Sequence, residues 1–193
     1  MKVVMINGSR REKGCTYTAL KEIAKVLEAE GMESQIFHVG VKAVNGEMND
    51  IVKEVAEAVK SADGFIVGSP VYYASPTGEV LAFLDRLFGV AEADLRFKPA
   101  AAITSARRAG TTATIDVLNK YFLYDQMPIV SSRYWNMVHG SNPEDVMKDE
   151  EGLQIMRTIG TNMAWMLKSI EAGKKAGVKQ PEAEDKVFTN FIR

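Results

Sequence analysis

Five short apolar runs separated by stretches of helical period leave this chain few possible folds. The runs are Lys2 to Asn7, Ser34 to Val39, Gly64 to Ser69, Ala100 to Ser105 and Met127 to Ser131. Each is short and mostly apolar, as strands are when helices cover both faces of a parallel sheet. Between them apolar residues recur at three- and four-residue steps. Leu20, Ile23, Ala24 and Leu27 form the first set; Val52, Val55, Ala56 and Val59 the second; Val80, Leu81, Leu84, Leu87 and Phe88 the third; Ile115, Leu118 and Phe122 the fourth. Gly31 ends the first helix as a C-terminal cap would. Strand–helix alternation with right-handed crossovers gives a doubly wound, three-layer α/β domain.

A long helix follows, from about Asp149 to Gly173. Met156, Ile159, Met163, Met166, Leu167 and Ile170 share the face expected to pack on the sheet. Trp165 falls among Thr158, Thr161, Ser169 and Ala172, and reads either as a subunit contact or as a lone exposed aromatic. The expected division is a domain over residues 1–173 and a C-terminal arm over 174–193, with Val187, Phe188, Phe191 and Ile192 as apolar anchors. That arm can dock on its own subunit, dock on a partner or fray.

Composition removes several functions. A net charge of −1 with scattered Lys and Arg argues against electrostatic binding to nucleic acid or to an anionic membrane. No apolar run approaches the ~20 residues of a membrane span, and the chain enters a strand with no signal-peptide pattern, so cytoplasmic residence is expected. The single cysteine forbids an intrachain disulfide or an all-cysteine metal cluster, and only His38 and His139 could supplement it, so no metal site is expected.

In such a sheet, ligands bind beyond the C-terminal strand ends where the strand order reverses, so three loops belong together. The first, Gly8 to Thr16, joins strand to helix with Ser9, Arg10, Arg11, Cys15 and Thr16. Unpaired N–H groups at the helix start, hydroxyl donors and arginines make an anion cradle; an ordinary turn with surface charges is the alternative. The triphosphate P-loop is excluded, because five residues separate Gly8 from Gly14 and Cys15 stands at the lysine position. The dinucleotide G-x-G-x-x-G is also absent, and no acidic residue ends the second strand. A single phosphate without an adenosine half remains. The second loop, Gly68 to Gly78, holds Pro70, Val71, Tyr72 and Tyr73 before a helix that Ser75 or Thr77 can cap. Rigid aromatics beside a phosphate site suit a flat heterocycle, although plain packing would also account for them. The third, Thr104 to Thr112, is basic, with Arg107, Arg108 and a turn at Gly110; it fits an anionic ring edge or a solvated arginine pair.

Gly8-Ser9, Arg11 and Gly14-Cys15-Thr16, combined with Gly68 to Tyr73 and Phe83-Leu84-Asp85-Arg86, resemble the NADPH-dependent FMN reductase family. The similarity covers about the first 130 residues and is strongest to the branch that includes the iron–sulfur flavoproteins. The resemblance implies a flavodoxin-like fold with strand order 2-1-3-4-5, noncovalent FMN, and a homodimer or homotetramer. It implies FMN phosphate at Ser9, Arg11, Cys15, Thr16 and Tyr17, and ring contacts at Pro70, Val71, Tyr72 and Tyr73. Further ring-edge contacts are implied around Ser105, Arg107, Arg108 and Gly110. Cys15 stands where the family pattern usually has Asn or Ser, and the branch's compact four-cysteine motif is missing, so no iron–sulfur cluster is expected. The implied activity is ping-pong transfer of two electrons from NADPH or NADH to a small acceptor: a quinone, an azo or nitro compound, a metal oxyanion or free flavin. No protein acid or base is needed, so no catalytic residue is named. A flavodoxin-type electron carrier is the alternative, against which the near-neutral charge and the Arg107-Arg108 pair both speak. The segment Ser132 to Lys148, with Tyr134, Trp135, Met137 and His139, reads as a long loop that either covers the site or packs elsewhere.

Overall fold

A computed structural model describes residues 1–182 and 184–190. Phe191 and Ile192, two of the expected arm anchors, lie outside the described residues. Among the described residues, six helices and five strands follow one another as β1 (Lys2–Asn7), α1 (Cys15–Ala29), β2 (Glu33–His38), α2 (Met48–Lys60), β3 (Gly64–Pro70), α3 (Gly78–Leu95, kinked at Ala91), β4 (Ala100–Ala106), α4 (Thr111–Tyr124), β5 (Met137–His139), α5 (Pro143–Val146) and α6 (Glu150–Lys175). The sheet is parallel with order β2-β1-β3-β4-β5, the expected flavodoxin-like arrangement.

Period-two alternation divides the core into two layers. Val4 and Ile6 of β1, with Phe65 and Val67 of β3, face α2, α3 and α4. Val3, Met5 and Ile66 face α1 and α6. On the first side Phe65 meets Phe88 and Phe122 edge to face, with ring centroids 6.3 and 6.4 Å apart. On the second, α6 presses so closely on α1 that a Cβ at Gly160 would lie 2.7 Å from the Cβ of Val26. The buried carboxylate of Glu22 joins the two helices, at 3.0 Å from Lys25 and 2.7 Å from Arg157. Burial alone would raise its pKa, but the hydrogen bonds from Arg157 and Lys25 hold it below the usual value. The expected inner face of α6 is largely realised, with Met156, Ile159, Met163 and Leu167 buried, while Trp165 is exposed.

The fifth strand departs from the sequence expectation. The run Met127 to Ser131 touches the sheet at a single bridge, Ala100 with Ile129, supported by Ala100 N to Pro128 O and Val130 N to Ala100 O. The strand proper is Met137–His139, paired with the far end of β4. Between them the chain swings out through Ser132 to Asn136. It is fastened by Asn136 Nδ2 to Ala102 O at 3.0 Å and by Ser132 Oγ to Asn136 Oδ1 at 2.7 Å. One edge strand is thus split by an excursion whose polar anchors mimic the lost ladder bonds. Residues 132–148 are therefore not one long loop but an excursion, β5, a tight connection and α5.

Candidate functional site

Register brings the strand ends to one level: Asn7 lies beside Gly68, Pro70 beside Ser105, and Ala106 beside His139. The expected loops therefore emerge side by side. Gly8 N donates to Gly68 O at 2.8 Å and Val71 N to Ser105 O at 3.0 Å, linking the first loop to the second and the second to the third. A fourth loop, at Gly140, joins them through Gly140 N to Ala106 O at 3.0 Å.

In the first loop the organiser is Asn7, fully buried and absent from the sequence-derived site. Its Oδ1 accepts from Ser9 N at 3.1 Å and its Nδ2 donates to Glu12 O at 2.8 Å. Ser9 Oγ accepts from Arg11 N at 3.1 Å, which leaves its hydroxyl hydrogen free to donate. Helix α1 starts at Gly14 without a side-chain cap and without an acidic residue in its first turn. The N–H groups of Cys15, Thr16 and Tyr17 therefore have no intrahelical acceptor. Arg11 is exposed beside them, whereas Arg10 is committed to Glu79 at 2.9 Å.

Thr16 and Ser105 are buried against each other, with their hydroxyl oxygens 2.8 Å apart, so one hydroxyl hydrogen of the pair remains for another acceptor. Tyr17 is half-buried. The Cys15 thiol lies 3.6 Å from Gly140 O. Burial pushes its pKa up against the pull of a backbone hydrogen bond and of Arg11, and Asp145 and Glu144 push it the same way as burial. It is a neutral thiol, unsuited to nucleophilic chemistry.

The second loop closes on itself through Tyr72 N to Ser75 O at 2.9 Å and Ser75 N to Tyr72 O at 3.0 Å. Tyr73 and Ala74 at its tip have φ of 53° and 55°, the left-handed pair of a type I′ turn normally filled by Asn and Gly. Tyr73 is wholly exposed and Tyr72 partly so. A bulky residue held in strained backbone with its ring in solvent is a feature found at ligand-binding loops. Beneath it Thr77 caps α3: its Oγ1 accepts from Val80 N and donates to Gly8 O. Thr77 N in turn donates to Ser69 Oγ, and Thr104 Oγ1 donates to Ser69 O. These buried hydroxyls lock the three loops together; Ser69 and Thr104 were missed because strand threonines and serines look generic in sequence.

In the third loop Arg107 and Arg108 are exposed, and no carboxylate pairs with either among the described residues. Gly110, at φ 99°, opens α4, which again has neither a side-chain cap nor an acid in its first turn. A Cβ here would lie 2.8 Å from Val71 Cγ1 and 2.9 Å from Ala74 Cα, so the glycine lets the second and third loops touch. Among the described residues the site thus gathers two helix N-termini without side-chain caps, a serine hydroxyl with a hydrogen to donate, three arginines without a carboxylate partner, and a loop of two exposed tyrosines. That donor set suits a phosphate attached to a flat ring, and so fits FMN.

The sequence profile of NADPH-dependent FMN reductases matches residues 1–142. An iron–sulfur flavoprotein of Methanocaldococcus jannaschii is 29% identical over 192 residues, covering 89% of this chain and all of that one. An NADPH azoreductase of Bacillus sp. (strain OY1-2) is 32% identical over 123 residues, 62% of this chain and 65% of that one. In fold, the chain is similar to a flavodoxin WrbA-like protein of Agrobacterium tumefaciens, with TM-score 0.69 and 16% identity over 87% of this chain and 97% of that one. It is also similar to FerB, an NAD(P)H:(acceptor) oxidoreductase of Paracoccus denitrificans, with TM-score 0.67 at the same identity and coverage.

Proposed function

Because the chain belongs to the NADPH-dependent FMN reductase family, an FMN-dependent oxidoreductase, we propose that it takes two electrons from NAD(P)H and passes them to a small acceptor. Bound FMN would supply the redox chemistry, accepting hydride and releasing electrons to a quinone, an azo or nitro compound, a metal oxyanion or free flavin in a ping-pong cycle. The protein's part is to bind and to bias. The N–H groups of Cys15, Thr16 and Tyr17, with Ser9 Oγ and Arg11, would hold the phosphate. Pro70, Val71, Tyr72 and Tyr73 would border the ring, and Ser105, Arg107, Arg108 and Gly110 would meet its edge. Arg107, Arg108 and the N-terminus of α4 provide positive potential, which favours the negative charge gained on two-electron reduction. That bias suits an enzyme better than a one-electron carrier.

The observation that carries this reading is the start of α1, uncapped and free of acid, beside the Ser9 hydroxyl. Cytoplasmic residence and a homodimer or homotetramer complete the proposal; among the described residues no helix is long and apolar enough to cross a membrane. Anaerobic titration of the FMN-loaded protein with NADH and NADPH tests it. Bleaching by either nucleotide, followed by recovery with a quinone, is the expected result. Failure to bind FMN sinks the whole reading; binding without bleaching leaves the flavodoxin-type carrier instead.

A further inference from the structure

The end of β2 supplies none of the donors assigned above, yet it grips the loop that carries them. Val39 N donates to Asn7 O at 3.0 Å, so the chain leaving β2 stays alongside the chain leaving β1. His38, half-buried at the strand end, holds its Nε2 2.7 Å from Ser9 O. A carbonyl oxygen can only accept, so Nε2 carries the hydrogen whether the ring is neutral or charged. A second contact is steric. Gly40 is buried so tightly on the Ser9–Arg10 peptide that a Cβ there would lie 2.1 Å from Ser9 O and 2.9 Å from Arg10 N.

These contacts complete the restraint of one residue. Ser9 N donates to Asn7 Oδ1 and Ser9 Oγ accepts from Arg11 N, so His38 takes the one polar group left, the carbonyl. In a trans peptide the C=O and the N–H that follows it point in opposite directions. With Ser9 O turned to His38, the Arg10 N–H is aimed away from β2, and it meets no acceptor among the described residues. The Arg10 guanidinium, 2.9 Å from Glu79 at the start of α3, holds the same peptide from the other side. A reversed peptide would present an oxygen where that N–H now stands and would repel an anion.

We propose that His38 and Gly40 are positioning residues for the flavin phosphate. They fix the Ser9–Arg10 peptide so that the Arg10 N–H joins the Ser9 hydroxyl and the start of α1 as a phosphate donor. The inference rests on the FMN reading above and deepens it, adding one backbone donor and two residues that act through Ser9. Their effect falls on the phosphate end of the ligand, because neither belongs to the loops that border the ring.

Binding of FMN and of riboflavin, which lacks the phosphate, to the flavin-free protein separates this role from a structural one. His38→Leu should weaken FMN binding about tenfold or more, as expected when a hydrogen bond that orders a donor is lost, and change riboflavin binding by less than about threefold. His38→Gln, whose amide N–H can reach the same oxygen, should recover FMN affinity to within about threefold of wild type. Gly40→Ala leaves the imidazole in place but displaces the peptide, and should show the same FMN-selective loss. Circular dichroism checks that each variant is folded. Three results would overturn the proposal: FMN affinity unchanged in His38→Leu and Gly40→Ala, equal losses for FMN and riboflavin, or a His38→Gln variant as weak as His38→Leu. A wild type that binds no FMN is a different failure, since it refutes the flavin reading itself.

Discussion

Asp125 is the clearest case in which a pH dependence can be worked from the structure. It caps the C-terminus of α4, is 1% exposed, and neither carboxylate oxygen has a hydrogen-bond partner among the described residues. Burial first and the charge of Glu92 second raise its pKa from 3.8 to about 6, against the opposing pull of Arg96 and Lys186. A carboxyl with a raised folded-state pKa binds its proton more tightly in the folded chain, so ionisation destabilises the fold. Full ionisation at pH 8 costs about 3 kcal/mol, the free energy of holding the carboxyl at about 6 rather than 3.8. At pH 5 the same linkage leaves about 1.6 kcal/mol, and at pH 4 about 0.6. Asp125→Asn removes the charge but keeps an amide that is itself unpaired, a penalty of about 1–2 kcal/mol. The variant should therefore be about 1–2 kcal/mol more stable than wild type at pH 8 and nearly equal to it at pH 5. Urea unfolding of the flavin-free protein at the two pH values measures this directly. The diagnostic quantity is the change in the stability difference, about 1.4 kcal/mol across the interval. An Asn variant less stable at pH 8, or a difference that does not move with pH, would show that the carboxylate is solvated and the reasoning wrong.

Gln126, the residue after Asp125, has φ 56° in a Schellman cap closed by Met127 N to Phe122 O at 2.9 Å. Gln126→Gly should raise stability by about 1 kcal/mol in the same assay, since glycine adopts that backbone without strain. Gly110→Ala should leave the far-ultraviolet dichroism intact yet weaken FMN binding about tenfold or more by calorimetry, because the new methyl drives the second loop from the third. Replacing Arg107 and Arg108 by Ala should lower the two-electron potential of bound FMN by about 20–40 mV, the size of one or two partly screened charges; an unchanged potential in equilibrium titration would dismiss the electrostatic role.

Much of the fold was legible because burial on both faces forces a local signature. Short apolar runs such as Val3 to Ile6, between helices of regular apolar period, are hard to reconcile with anything but a parallel sheet. The site loops were legible for a related reason. Gly8, Gly14, the two prolines around Tyr72 and Gly110 are residues whose backbone limits or freedoms announce turns at strand ends, and the similarity of these segments to one family supplied their common purpose. The Schellman cap of α1 was visible at Gly31, but that of α4 was hidden because Gln126 carries no such mark.

Other features were decided by tertiary contacts. Met127 to Ser131 has the composition of a strand, yet it meets β4 only at Ala100. The pairing passes instead to Met137–His139 once Asn136 has secured the excursion. That shift brings Gly140 to Cys15 and makes a fourth loop part of the site's wall. The roles of Asn7, Ser69 and Thr104 depend on which strand ends meet, information that exists only after the sheet has assembled. The sequence determined the layers, the strand order through its family likeness, and the loops that would matter. Only the folded chain decided which hydroxyls are consumed in holding those loops together and which remain free, because a hydrogen bond between residues as distant in the chain as Thr16 and Ser105 has no local signature.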